Sequence, residues 1–207
     1  MRFMPSFDAV LRRLFGQTDW VPKVLLGGAL CFVPIVHFLA FGYLLEYAFR
    51  LRSSQDLNLP EWQEFGWREL FIRGLYFTAV FVGTFLLPLL VGFMLGRFLD
   101  IATFGMLGYL AYVPLGFMGV VAPSLFLSSL LLYTRDGMFS DAWNLAEMLR
   151  LALAMFRHLV IPTFAFWGFL VLALPLYGFA CFIGVWVLVA YSIALLHGKA
   201  SERQSSY

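Results

Sequence analysis

The chain has 207 residues, of which 62% are hydrophobic and 13% charged. Soluble globular domains carry roughly 25% charged residues, so this composition, with a mean hydropathy of +0.85, excludes a water-soluble fold. A net charge of +2, from 14 Lys+Arg and 12 Asp+Glu, gives no basic face for nucleic acid.

The N-terminal region reads as an amphipathic helix over residues 4–18. Met4, Phe7, Leu11, Leu14 and Phe15 fall on one side, with Asp8, Arg12 and Arg13 on the other. Such a helix suits the membrane surface. The polar run from Arg2 to Lys23 and the lack of a small-residue cleavage site argue against a signal peptide. The first apolar run is therefore expected to stay as an anchor. That run, residues 24–49, suits one span or a hairpin returning near Pro34. Residues 60–73, with Trp62, Phe65, Trp67, Leu70 and Phe71, read as an interfacial segment, because Trp and Tyr favour the headgroup level.

Residues 75–96 form one membrane segment. Residues 101–133 form another, long for one span and containing Pro114 and Pro123. Residues 140–157 read as a second interfacial helix, with Leu145, Leu149, Ala152 and Phe156 on its apolar face. The last block divides near Leu174–Gly178 into segments 159–174 and 179–197, since Pro and Gly punctuate it there. A span needs about 20 apolar residues. The expected fold is all-α: a polytopic transmembrane bundle of about five apolar helices with amphipathic interfacial helices, in one integral membrane domain, 1–207. A sixth span would follow if the third block folds back at Pro114–Leu115–Gly116. The apolar runs are continuous rather than alternating, which excludes a barrel.

Lys and Arg concentrate on the cytoplasmic side of membrane proteins. With the last four spans as given, Arg50, Arg52, Arg68, Arg73, Arg135, Arg150, Arg157, Lys199 and Arg203 share one side against Arg97 alone. This bias puts the C-terminus in the cytoplasm. The N-terminus joins it only if the first block dips and returns.

Few residues carry chemistry. Cys31 and Cys181 lie in apolar runs and read as free buried thiols. Metal-ligand pairs such as C-x-x-C and H-E-x-x-H are absent, and no G-x-S-x-G accompanies Ser124, Ser128 or Ser129. No catalytic, cofactor or metal residue is therefore assigned, and the chain reads as a non-enzyme. His37 and Glu46 are the candidate intramembrane polar site. The alternative for Glu46 is an interfacial place beside Arg50, four residues on. Arg97 and Asp100 suit a pair closing a helical hairpin. Arg68 and Arg73, beside Trp67, are candidate lipid-headgroup contacts, although snorkelling explains them equally well.

One motif is more specific. A span ends in Gly42-Tyr43, Leu59-Pro60-x-Trp62 follows, and Arg73-Gly74 opens the next span. Further on, Pro123 precedes a span ending at Tyr133, followed by Asp136-Gly137-x-Phe139 and Ala142. This layout resembles the uncharacterised prokaryotic membrane family catalogued as domain of unknown function 4013. The resemblance implies a small multi-pass protein of a prokaryotic cell (inner) membrane and brings no catalytic residues. It marks Gly42, Tyr43, Leu59, Pro60, Trp62 and Gly74 as a structural or interface motif. The expected role is a membrane scaffold or accessory subunit contacting lipid, a membrane-protein partner or a second copy of itself. The alternative is a small transporter or channel for an apolar or lipid-like solute. A re-entrant first block would favour that alternative.

Overall fold

In lipid every backbone polar group must be satisfied within the protein, and helices do this segment by segment. The computed structural model describes residues 6–54 and 56–204, and these are helices joined by turns and one extended segment. The helices are α1 (Phe7–Phe15), α2 (Trp20–Leu30), α3 (His37–Ser54) and α4 (Trp67–Phe81). There follow α5 (Leu87–Ala102), α6 (Val113–Asp136), α7 (Leu145–Leu172) and α8 (Tyr177–Gln204).

Helix α1 packs one face on the bundle. Ser6 caps it by accepting from the Ala9 amide at 3.2 Å. Val10 and Leu14 are buried, while Arg12 and Arg13 are exposed. Phe7 and Phe15 pack on Tyr191 and Trp186 of α8, at 5.2 and 5.6 Å between ring centroids. Met4, the first residue of the expected amphipathic segment, lies outside the described residues.

The first apolar block breaks into two helices. Pro34 has no N–H to continue α2, and Ile35 turns the chain with φ 71°, a strained value for a β-branched residue. The outer ends of α2 and α3 meet again, because Leu57, three residues past α3, accepts from Gln17 at 2.9 Å and from Tyr47 at 3.1 Å. The block is thus a hairpin returning near Pro34. Gly27 and Gly28 of α2 admit the Phe182 and Phe179 rings of α8 at that seam.

A single 36-residue apolar helical stretch runs Trp67–Ala102 through α4 and α5. A π-turn at Val82–Leu86 joins them, just ahead of Pro88. The expected boundaries change here. Residues 67–73 of the interfacial segment are the first turns of α4, and the 75–96 segment extends at both ends. The segment expected over 101–133 begins as the tail of α5, turns at residues 103–107, and becomes α6 only at Val113. Pro114 sits in the first turn of α6, where its missing N–H costs nothing. The fold-back there, and with it a sixth span, is absent.

Pro123 stands inside α6 and cannot donate to the Gly119 carbonyl one turn back. The Trp167 indole of α7 fills that place, donating to Gly119 O at 2.9 Å. Replacing Trp167 with Phe should leave that carbonyl without a donor and cost about 1–3 kcal/mol. In a Pro123→Ala background the restored amide supplies the bond, so the same change should cost clearly less. A double-mutant cycle by denaturant titration in micelles checks this; equal costs in both backgrounds would refute it.

Helix α7 is continuous, so residues 145–157 of the interfacial helix and most of the segment 159–174 are one element, while residues 140–143 lie in a separate 3-10 turn, Phe139–Trp143. Asn144 caps α7, accepting from the Glu147 amide at 3.3 Å. Its buried face is Met148, Ala152, Met155 and Leu159, whereas Leu145 and Leu149 of the expected apolar face are exposed. The chain breaks at Leu174–Leu176, and the last segment is the longer helix α8.

Four helical stretches are long and apolar enough to cross a membrane: Trp67–Ala102, Gly108–Asp136, Leu145–Leu172 and Leu174–Gly198. The fold is an all-α bundle, and the expected five becomes four because the first block splits. The helix directions give the bundle two unlike ends. Arg12, Arg13, Lys23, Arg50, Arg52, Arg68, Arg73, Arg135, Arg150 and Arg157 lie toward one end. Among the described residues Arg97 is the one basic side chain toward the other.

Candidate functional site

Between α3 and α4 the chain runs extended from Asp56 to Glu61, then makes a short 3-10 turn at Trp62–Glu64. An extended backbone packed into a helical bundle needs partners for its carbonyls. Here side chains supply them. Leu57 O accepts from Gln17 and Tyr47. Leu59 O accepts from Lys23 Nζ at 2.8 Å, and Pro60 O accepts from the Tyr43 hydroxyl at 2.7 Å. The Trp62 indole donates to Lys23 O at 3.2 Å. We call this arrangement the clasp.

Aromatic stacking supports it. The buried Trp62 ring lies flat on Tyr43, with centroids 3.9 Å apart, and Phe182 of α8 lies beyond. Ion pairs then close its outer edge: Lys23 to Glu61 at 2.7 Å and Arg50 to Glu64 at 2.6 Å. The Glu64 carboxylate also accepts from the Glu61 amide. That amide first, and Arg50 second, hold its carboxyl below the usual glutamate range. Its contribution is present above the ordinary glutamate pKa and is lost as the pH falls.

Four of the six motif residues meet in the clasp, and Gly42 and Gly74 do a related task beside it. A Cβ on Gly42 would strike the Leu70 carbonyl, and one on Gly74 would strike the Phe38 carbonyl. These glycines let α3 and α4 touch backbone to backbone. Trp62 is only 7% exposed, so it anchors inside the bundle rather than at the headgroup level.

Glu46 pairs with Arg73 across the α3–α4 seam, and not with Arg50 along its own helix. Arg73 also binds Glu69 at 3.3 Å and lies over the Phe49 ring. It is held by protein groups on three sides. Trp67 and Arg68 are exposed nearby. An open cavity of about 760 Å³ lies against these groups, lined by Glu46, Arg68, Glu69, Arg73, Tyr76 and Tyr133 among others. His37 is at the opposite end of α3, between Phe38 and Phe41 at 4.2 and 5.5 Å. The structure does not bring it together with Glu46. Arg97 and Asp100 pair at 3.2 Å, as expected for a hairpin end, and Tyr112 joins them.

Gln17, Lys23, Tyr47, Glu61 and Glu64 were not singled out by sequence reasoning. Their partners are backbone carbonyls or charges distant along the chain, for which a single sequence holds no signal.

Long apolar helices, one charged end and a clasped re-entry of the backbone define a multi-pass helical membrane protein. A family model described as protein of unknown function DUF4013 matches residues 25–196, and the chain belongs to that family. No curated protein and no solved structure matches it.

Proposed function

We propose that the protein is a non-enzymatic membrane scaffold or accessory subunit whose charged end lies in the cytoplasm and contacts lipid or a partner. The observation that carries this is the clasp: its charges and aromatic rings are engaged in fixing backbone. The bias of basic residues to the same end supports the cytoplasmic placement of that end. The family resemblance supports a prokaryotic cell membrane as its location.

The cavity beside Arg68 is the lipid-contact surface in this reading. It combines one exposed guanidinium with Tyr76 and Tyr133 at the border of an apolar surface, a setting suited to an anionic headgroup. Native mass spectrometry from nanodiscs containing phosphatidylglycerol tests it. The wild type is expected to keep the anionic lipid on release, and Arg68→Glu to lose most of it. Equal retention by both would overturn the lipid assignment.

The returning first block is the feature that favours transport, but Gly27, Gly28 and Gly178 fit it tightly to the aromatic rings around α8. One observation still favours the alternative: an apolar slot of about 200 Å³ between α1, α7 and α8, lined by Phe7, Leu11, Phe166 and Ile183 among others. A lipid-like solute carried there should exchange between proteoliposomes faster with protein than without.

A further inference from the structure

The α2–α3 hairpin and the α5–α6 hairpin start from the same charged layer and reach very different depths. The Glu46–Arg73 pair ties the two together. From Glu46 back to His37, where the α2–α3 turn begins, is nine residues, about 13 Å of helix. From Arg73 forward to Arg97 is 24 residues, about 36 Å. A bilayer's hydrocarbon core is about 30 Å thick. The second distance therefore spans it and the first covers less than half.

The charged layer belongs at a membrane surface, because its groups are partly open. The side chains of Glu61, Arg50 and Glu64 are 61%, 44% and 43% accessible. Open charges of this kind do not sit at bilayer mid-depth. With that layer at one surface, the Arg97–Asp100 pair falls at the other, and Tyr109 and Tyr112 take the interfacial place that tyrosine favours.

The α7–α8 turn also stops short of the α5–α6 turn. Phe32 of the α2–α3 turn packs on Tyr177 and Phe179 at the start of α8, at 4.8 and 5.5 Å. On the other flank Trp167 is level with Gly119 of α6, five residues before α7 ends at Leu172. Gly92 meets Pro114 and Leu115 of α6, and α5 then runs ten residues further to Ala102, about 15 Å. The two shallow turns together form an apolar dome: Cys31 to Val36 and Ala173 to Leu176 contain no charged side chain. Its leucines are open, Leu172 at 86%.

Much of the dome's backbone is paired internally, which suits it to lipid. Cys31, Phe32 and Val33 donate back to Gly27, Ala29 and Leu30, and His37, Phe38 and Leu39 donate to Val33, Ile35 and Val36. Ala173 donates to Phe169, Leu176 donates to Ala173, and Pro34 and Pro175 have no N–H. Aqueous loops have no need of such internal pairing. His37, at the edge of the dome, is lodged between aromatic rings.

We infer that the dome ends inside the bilayer, against the acyl-chain ends of the far leaflet, and that α5 and α6 alone cross completely. Helix α8 is long because its second half is the buried axis of the charged end, with Trp186, Ala190, Ile193 and Leu195 in the core. The protein is then a wedge in which α5 and α6 alone reach the far surface. This rests on the membrane reading above but not on the scaffold role. A failed lipid-retention test leaves the depths unchanged.

The test places single cysteines at Val33, Leu174 and Tyr109 in a chain with Cys31 and Cys181 replaced by Ala. Each carries an environment-sensitive fluorophore in phosphatidylcholine vesicles. Quenching is compared for aqueous iodide trapped on both sides and for lipids with a doxyl group near the methyl end of the chain. The expected result is loss of iodide quenching at Val33 and Leu174 with strong quenching by the deep doxyl lipid, and the reverse at Tyr109. Iodide quenching at Val33 and Leu174 equal to that at Tyr109 would overturn the inference. Two dome positions are used so that one misfolded variant still leaves a reading.

Discussion

Replacing Trp62 with Ala is expected to destabilise the folded protein by about 3–5 kcal/mol. The side chain is buried between Tyr43 and Phe182, so truncation opens a cavity that two helices and an extended segment cannot all collapse into. It also removes the indole bond to Lys23 O, which positions the ammonium for Leu59 O and Glu61. Pro60 makes a useful contrast. Its contribution to the clasp is its carbonyl, accepting from Tyr43, and alanine retains that carbonyl. Pro60→Ala loses the restriction of the unfolded chain and part of a buried ring, and should cost roughly 1–2 kcal/mol, well below the indole. Unfolding by sodium dodecyl sulfate in mixed micelles measures both. Similar small costs for both would show that the aromatic stack does not hold the segment.

Gly42→Ala and Gly74→Ala should each cost roughly 3 kcal/mol, toward the upper end of the overpacking range. The added methyl group meets a backbone carbonyl in each case, and a carbonyl inside a helix cannot rotate away. The α3–α4 seam must open, which also separates Glu46 from Arg73. Gly116 is the internal control, because a Cβ there meets nothing within 4 Å. Gly116→Ala should be neutral or stabilising by up to about 1 kcal/mol, the helix-propensity gain. The same micelle titration ranks the three variants. A Gly42→Ala protein as stable as Gly116→Ala would contradict the backbone contact.

The sequence patterns were legible where hydropathy is the controlling physics. The apolar runs mark the helices of the membrane, and Pro175 marks the break between the last two. Helix ends were less legible, because Arg68, Arg73, Arg150 and Arg157 make the first turns of α4 and α7 look like separate surface segments. Hydropathy sees the change of solvent there, while the backbone continues unbroken. The motif around Gly42 and Trp62 was visible through the family resemblance, but its mechanism was not. Gln17 lies 40 residues from Leu57, and nothing local links them. Glu46 illustrates the same limit: the neighbour on its own helix, Arg50, was the natural partner, yet Arg50 reaches Glu64 and Arg73 takes Glu46.

The return of the first apolar block carries the whole topology, because it decides whether the two chain ends share a side. With Cys31 and Cys181 replaced by Ala, single cysteines at Ser6 and Ser201 can be treated in intact cells with a membrane-impermeant maleimide. Both positions are expected to stay unlabelled until the cells are lysed, and then to react. Labelling of Ser6→Cys in intact cells with Ser201→Cys protected would mean that the block crosses once, and would contradict the hairpin.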